Sequence, residues 1–593
     1  MASVDDIFKN TQSSLPSKRR IDAVRDPSEV YKAAKRDSNA HGSRHATVED
    51  EAVDHDRGEA PGDDEDDYGP ELPPDDEEGG RFFGGGITKQ ESEILDYLEG
   101  RDEDVAAEKI DAGWLRKTVL NFEKRITKNA ELRAKYEDDP QKFMASESDL
   151  DSDIKTLSIL SQYPELYQEF VKLGSATSLV GLLAHENTDI AIGVMDVLDE
   201  LTDENVTADD EQWGALVDAM LEADLLDLLV SNLARLDEGD ERDREGVYHA
   251  MSIVENLCSR EAVAKQVGGE EKLVKWLLSR AQRREKDVSQ NKQYAAEIIA
   301  ILAQSAPENR GRLVKLDAVD TMLELASAYR KRDPDRSSDE EEYMANLFEI
   351  LTALVDTPEG KLKLLEAEGV ELCLIMLKEG GQSKPCALRL LAHATALSGT
   401  GEAATSAAAA VCKQLVVAGG LKTTFTMFMK THDASTVEHL LGIFSSMLRL
   451  LPGDSSERIR ALAKFVEKDY GKLARLLKLR QGYVARIRTA EEEFAKFAEE
   501  EEEEEEDEDL RRAELFSRRL DAGLFSLQSI DLILAWLVAE DDGARKRIIK
   551  LLKDTDLGLD AIKASIQEQL DDLDDSEDVK DTREMLSTLV EFL

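Results

Sequence analysis

Cysteine is nearly absent from this chain, with four in 593 residues, Cys258, Cys373, Cys386 and Cys412, and no CxxC pair among them. That excludes a disulfide framework and suits a reducing compartment. Apolar runs of about 18 residues are missing, and the first residues lack the apolar core of a signal peptide, so a soluble intracellular protein is expected and no membrane partner. Sustained two-residue alternation is missing too, which leaves essentially no sheet to expect. Basic charge is in deficit: 75 Lys and Arg stand against 126 Asp and Glu, a formal charge of -51. Such a mean field repels phosphate and attracts basic peptides, so direct nucleic-acid binding is not expected.

Chemistry is equally sparse. No Walker-type glycine loop occurs, and the stretch Gly399, Thr400, Gly401 is too short to cradle a phosphate. His249 and His393 sit among apolar neighbours and read as hydrogen-bonded structural histidines. His432 and His439 lie two helical turns apart with no third ligand near enough to argue a zinc set. Carboxylates are too numerous for any one pair to stand out as an acid and base. The sequence carries no enzyme signature and implies no cofactor or metal.

What it does carry is a repeat. One phrase, an apolar pair, a break at Gly, Asp or Glu and a leucine-rich helix, occurs six times: FVKLGSATSLVGLL from Phe170, LEADLLDLLVSNL from Leu221, KQVGGEEKLVKWLL from Lys265, LVKLDAVDTMLELA from Leu313, LLEAEGVELCLIML from Leu364 and LVVAGGLKTTFTMF from Leu415. The breaks, at Gly174, Asp224, Gly268, Asp317, Glu368 and Gly419, are roughly 44 to 51 residues apart, near the period of two- or three-helix armadillo and HEAT units. After each phrase comes a second amphipathic run, from Val194, Ala250, Ala296, Leu347, Ala387 and Leu441. Pro307, Pro358 and Pro452 stop three of these runs. Each unit therefore reads as a helix, a tight turn and a longer inner helix. The expected fold is all-α: an armadillo/HEAT-like helical-repeat solenoid with helical caps and a disordered N-terminal tail.

Along the chain, residues 1–86 read as that tail, with an acidic block over residues 49–78. Within it Lys18, Arg19 and Arg20 precede Lys32, Lys35 and Arg36 by about a dozen residues, the spacing of a bipartite nuclear localisation signal that an importin would read. The bland alternative is a solvated basic stretch. Residues 87–160 read as an N-terminal helical cap, 161–455 as the armadillo-like repeats and 456–593 as a C-terminal helical region. The last is interrupted over residues 491–509 by an acidic run, either a solvated helix extension or an exposed linker.

In armadillo-like stacks the exposed side of the inner helices lines the groove. Here that register holds Asp196, Asp199, Glu200, Glu255, Asn256, Glu297 and Glu349. Carboxylates and amides so placed suit an extended basic peptide, through charge-assisted hydrogen bonds to Lys or Arg; ordinary solvated polar faces remain the alternative. Import adaptors of the importin-alpha type instead pair Trp with Asn four residues on. Here Thr118, Val217, Arg280 and Glu540 follow Trp114, Trp213, Trp276 and Trp536, so that array is absent.

The stretch DPQKFMASESDLDSDIKTLSILSQYPELYQEFVKLGSATSLVGLLAHENTDIAIGVMDVLDELTDEN (residues 139–205), with VENLC from Val254, APENR from Ala306 and RRLDAGLFSLQ from Arg518, resembles the beta-catenin-like protein 1 family. The resemblance runs from about Trp114 to the last residue. It implies an armadillo-like nuclear protein associated with the spliceosomal nineteen complex, one that binds basic nuclear-localisation-type segments of splicing proteins. It carries no catalytic motif and no residue-level binding signature. The function expected is a non-enzymatic splicing adaptor, with a nuclear transport adaptor for basic cargo as the alternative.

Overall fold

The computed structural model describes residues 109–500, 508–573 and 579–593, and among these every regular element is a helix. The two basic clusters, the acidic block, residues 87–108 and most of the run of glutamates lie outside the described residues. The rest divides into two compact units that meet in sequence between Ser259 and Arg260.

Each repeat contains three helices, one more than the sequence pattern suggested, because the apolar pair before the break closes a helix of its own, as short as Tyr167–Lys172 and as long as Glu402–Val417. In the first unit Tyr167–Lys172, Ser175–Gly181 and α1 (Thr188–Thr202) are followed by Asp210–Glu222, Leu225–Arg235 and α2 (Glu241–Leu257). In the second unit the third helices are α3 (Gln290–Ser305), α4 (Asp339–Leu354), α5 (Ser383–Thr395) and α6 (Ala434–Leu450). Helix α1 packs on α2 in the first unit, and α3, α4, α5 and α6 stack in order in the second. Before the first repeat, Ala112–Lys135 packs on Met144–Thr156, which in turn covers α1.

The breaks are where the chain turns from first helix to second. Gly174, Asp224, Asp317, Glu368 and Gly419 all adopt left-handed backbone there, with φ between 54° and 79°. At Gly419 the helices on either side meet at 85°. Gly268 differs: its φ of -67° is ordinary, and glycine is required because a Cβ would run into the Asn309 side chain. The prolines act as helix openers as much as stops. Pro307 and Pro358 each occupy the first turn of the next helix, where their missing N–H costs nothing.

Apolar burial closes each unit, with Tyr167, Phe170, Phe348, Phe428 and Phe444 essentially inaccessible. Polar latches fix the register between repeats. Asn232 donates from Nδ2 to Leu183 O at 2.9 Å, and Asn309 donates from Nδ2 to Ala264 O at 3.0 Å, so each asparagine ties its helix to the repeat before. Lys361 is fully buried and donates to His393 O at 2.8 Å and Ala394 O at 3.2 Å, sealing the last turn of α5. Burial holds its ammonium down at about 8.

Beyond the sixth repeat the left-handed turn recurs at Gly523, φ 101°, and α7 (Leu524–Glu540) stacks on α6. Two buried ion pairs bind α7 to the helical segment Ser456–Glu500: Arg458 to Glu540 and Arg480 to Asp531, the latter at 2.6 Å. That segment is broken where Lys468, Asp469 and Tyr470 all take positive φ.

Candidate partner-binding faces

In the first unit the helical period sets Asp196, Asp199 and Glu200 on one face of α1, turned toward α2. His249 of α2 lies between the two aspartates. Its Nδ1 is 3.1 Å from Asp199 Oδ2 and its Nε2 is 3.5 Å from Asp196 Oδ1. Burial alone would pull this imidazole down. The hydrogen bond to Asp199 and the charges of Asp196 and Asp199 together hold it above its ordinary value.

Asn256, two turns further along the same face of α2 and 4% exposed, is committed inward. Its amide donates to Asp199 Oδ1 at 3.1 Å and lies 3.1 Å from Thr202 Oγ1. Asn256 therefore positions Asp199 and leaves its carboxylate aimed at His249.

Glu200 is half-buried, yet its Oε2 is shut off from water. The Ser158 hydroxyl is near enough to favour its charged form a little, but no donor meets this oxygen in full hydrogen-bond geometry among the described residues. Desolvation, with Asp196 and then Asp199 adding repulsion, pushes its carboxyl up to about 8. Nearby, burial raises Asp153 to about 6 against the pull of Arg125, whose Nε is 2.9 Å away. Glu255 is half-buried on α2. The most open carboxylate is Asp196, whose side chain keeps 39% of its exposure.

In the second unit the expected residues stand apart from one another. Glu297 on α3 accepts a hydrogen bond from Gln293 Nε2 at 2.8 Å. Glu349 on α4 forms an ion pair with Arg389 on α5. Just beyond, Asp356 accepts from His393 Nδ1 at 3.2 Å. The structure thus brings Asp196, Asp199, Glu200 and Asn256 into one cluster and gives Glu297 and Glu349 separate partners.

The register overlooked Arg389 and the role of His249. A signal for the second was available: Asp199 and His249 are one repeat apart, and residues one repeat apart face each other across stacked third helices. His432 is exposed while His439 is partly buried, and among the described residues no group of three His, Cys, Asp or Glu is placed to hold a metal ion. What the first-unit cluster offers is charge: carboxylates held rigidly by α1 and α2, able to accept hydrogen bonds from a lysine or arginine.

Comparisons with known proteins match this architecture. A family model described as "Catenin-beta-like, Arm-motif containing nuclear" covers residues 92–567. The "Beta-catenin-like protein 1 homolog" of Schizosaccharomyces pombe is 36% identical over 504 residues, 84% of this chain and 86% of that protein. The human "Beta-catenin-like protein 1" is 34% identical over 476 residues, 78% of this chain and 82% of its own length. Among solved structures, a chain from work described as "A conserved phosphorylation switch controls the interaction between cadherin and beta-catenin in vitro and in vivo" aligns over 84% of this chain and 94% of its own, at 14% identity and a TM-score of 0.44. A designed armadillo repeat protein in complex with the peptide (KR)4 aligns over 46% of this chain and 98% of its own, at 16% identity and a TM-score of 0.34. With a family model and relatives at 34% and 36% identity matching over most of its residues, this chain belongs to the catenin-beta-like family of armadillo-motif nuclear proteins.

Proposed function

We propose that this protein is a non-enzymatic adaptor of pre-mRNA splicing in the nucleus, which binds basic, nuclear-localisation-type segments of splicing proteins on the acidic faces of its third helices. The observation that carries the reading is the Asp196, Asp199 and His249 arrangement, a pair of carboxylates pre-oriented by the second helix of the stack. A lysine or arginine entering there needs little reorganisation of the protein, which is where rigid sites gain affinity. Glu255 adds a carboxylate on α2, and in the second unit Glu297 and Glu349 place further ones on α3 and α4. The family resemblance supplies the setting, proteins of the spliceosomal nineteen complex. Lys18, Arg19, Arg20, Lys32, Lys35 and Arg36 serve as the signal by which an importin carries the protein itself.

Fluorescence anisotropy with a labelled peptide of alternating Lys and Arg tests the binding step. The Asp196→Asn variant, which keeps the side chain's shape beside His249, should weaken binding at least about threefold, with circular dichroism confirming that the helices remain folded. Undiminished binding would remove α1 from the site. Affinity purification from nuclear extract separates the splicing role from transport, since an adaptor for import would recover importin-type carriers in place of spliceosomal proteins.

A further inference from the structure

A cavity of about 210 Å³ runs along the exposed side of α6, between the end of α5 and the first half of α7. Its walls are mainly apolar, with Ala396, Phe525 and Leu532 among them, and its two ends are charged: Glu438 at one and Arg449 at the other, both on α6. Eleven residues of helix put these ends about 16 Å apart. Pockets that are mostly apolar with a few directed polar groups are the usual form of a ligand site.

Two independent features say that the cavity is built to be filled from outside. Its floor is Gly442, in the interior of α6, where glycine is the poorest helix former after proline. Nothing lies within 4 Å of a Cβ placed on Gly442, so packing does not force the glycine; its effect is to leave the floor bare. At the other feature, Arg449, a largely buried guanidinium has no carboxylate within ion-pair distance among the described residues. Its Nη2 donates to Thr582 Oγ1 at 2.7 Å, and Asp581 acts on it only through its charge. Burial holds the guanidinium below its ordinary value, the mark of a cation short of a counter-ion.

We infer that this cavity receives an acidic, aromatic segment of a partner protein, its ring over Gly442 and its carboxylate on Arg449. Polarity follows from the ends. Arg449 is the cation of the pair, and Glu438, whose carboxyl burial raises above its ordinary value, offers a carboxylate nothing at the far end. Beside it the partly buried His439 is held neutral, down at about 4, and His393 is engaged by Asp356. Opposite in charge and on different helices, this site stands independently of the basic-segment reading of the acidic faces.

The test uses the full chain and two small probes, N-acetylphenylalanine and its uncharged amide, followed by saturation-transfer NMR. The acid should bind with a Kd of about 1 mM, as expected for a ligand of that size, and the amide at least about tenfold more weakly. Arg449→Gln should bring the acid to the level of the amide. Gly442→Leu should abolish binding of both while leaving the melting temperature unchanged or higher, because leucine favours the helix and meets open space. If Arg449→Gln fails to fold through loss of the Thr582 contact, the acid/amide comparison and Gly442→Leu still decide. Equal binding of acid and amide, undiminished binding to Gly442→Leu, or no transfer at about 10 mM would each overturn the inference.

Discussion

Glu200 couples the acidic cluster to pH. Its carboxyl stays protonated in the folded protein up to about 8, whereas in the unfolded chain it ionises near its ordinary 4.5. Between those values the folded state binds the extra proton, so this group's contribution is complete below about 4.5 and is lost as the pH rises toward 8. His249 acts in the same direction. Its folded value lies above 6.5, so its contribution too is present at low pH and disappears on the alkaline side. Asp153, raised to about 6, adds to the slope only at more acid pH. Hydrogen exchange of the α1 and α2 amides should therefore show protection falling from pH 6 to pH 8, after correction for the intrinsic rate. Glu200→Gln, which stays neutral, should flatten that fall and leave the unit about 2 kcal/mol more stable than the natural protein at pH 8, solvent screening of this half-buried group roughly halving the ~4 kcal/mol that the full shift implies. An unchanged slope would mean that Glu200 is ionised and solvated in the folded state.

At the scale of elements, the break residues show which parts of the repeat a sequence reveals. Gly, Asp and Glu at one place in six phrases announce a chain reversal, and five of the six are left-handed turns. Gly268 has the same place in the phrase for another reason, since it makes room for Asn309, in the first helix of the next repeat. No local pattern distinguishes the two cases. The first helix of a repeat was hidden similarly where it is as short as Tyr167–Lys172, which has too few residues to display a period of 3.6. The acidic face was legible on α1, where Asp196 and Asp199 are three residues apart, but its completion by His249 depends on how α2 stacks. The left-handed turn at Gly523 was overlooked although a leucine-rich helix follows it, because it lies outside the six evenly spaced phrases, beyond the acidic run. The Gly268 contact also makes a prediction. Gly268→Ala should cost about 2 kcal/mol by displacing Asn309 from Ala264 O and Leu302 O. Combined with Asn309→Ala it should add almost nothing further, a coupling that a double-mutant cycle measures directly. Gly419→Ala, whose cost arises from φ alone, should show no coupling to Asn309→Ala. Additive costs for the Gly268 pair would refute the latch.

The whole molecule carries a formal charge of -51, and that field acts on both proposed ligands with opposite sign. A basic segment is attracted from a distance and then meets carboxylates such as Asp196 that remain partly in water. Both attractions are screened over about 8 Å at physiological ionic strength, so affinity for a Lys/Arg peptide should fall steeply as salt is raised. An acidic aromatic ligand is repelled by the same distant charge but held by Arg449, whose burial protects the short-range attraction from screening. Added salt removes the repulsion and spares the contact. Its affinity should therefore hold steady or improve between about 50 and 500 mM salt, while that of the basic peptide drops. Titrations of both probes on one preparation check this. Parallel weakening of the two would place the acidic ligand on an exposed cation instead of in the α6 cavity, and an indifferent basic peptide would move its site from the carboxylate faces to an apolar surface.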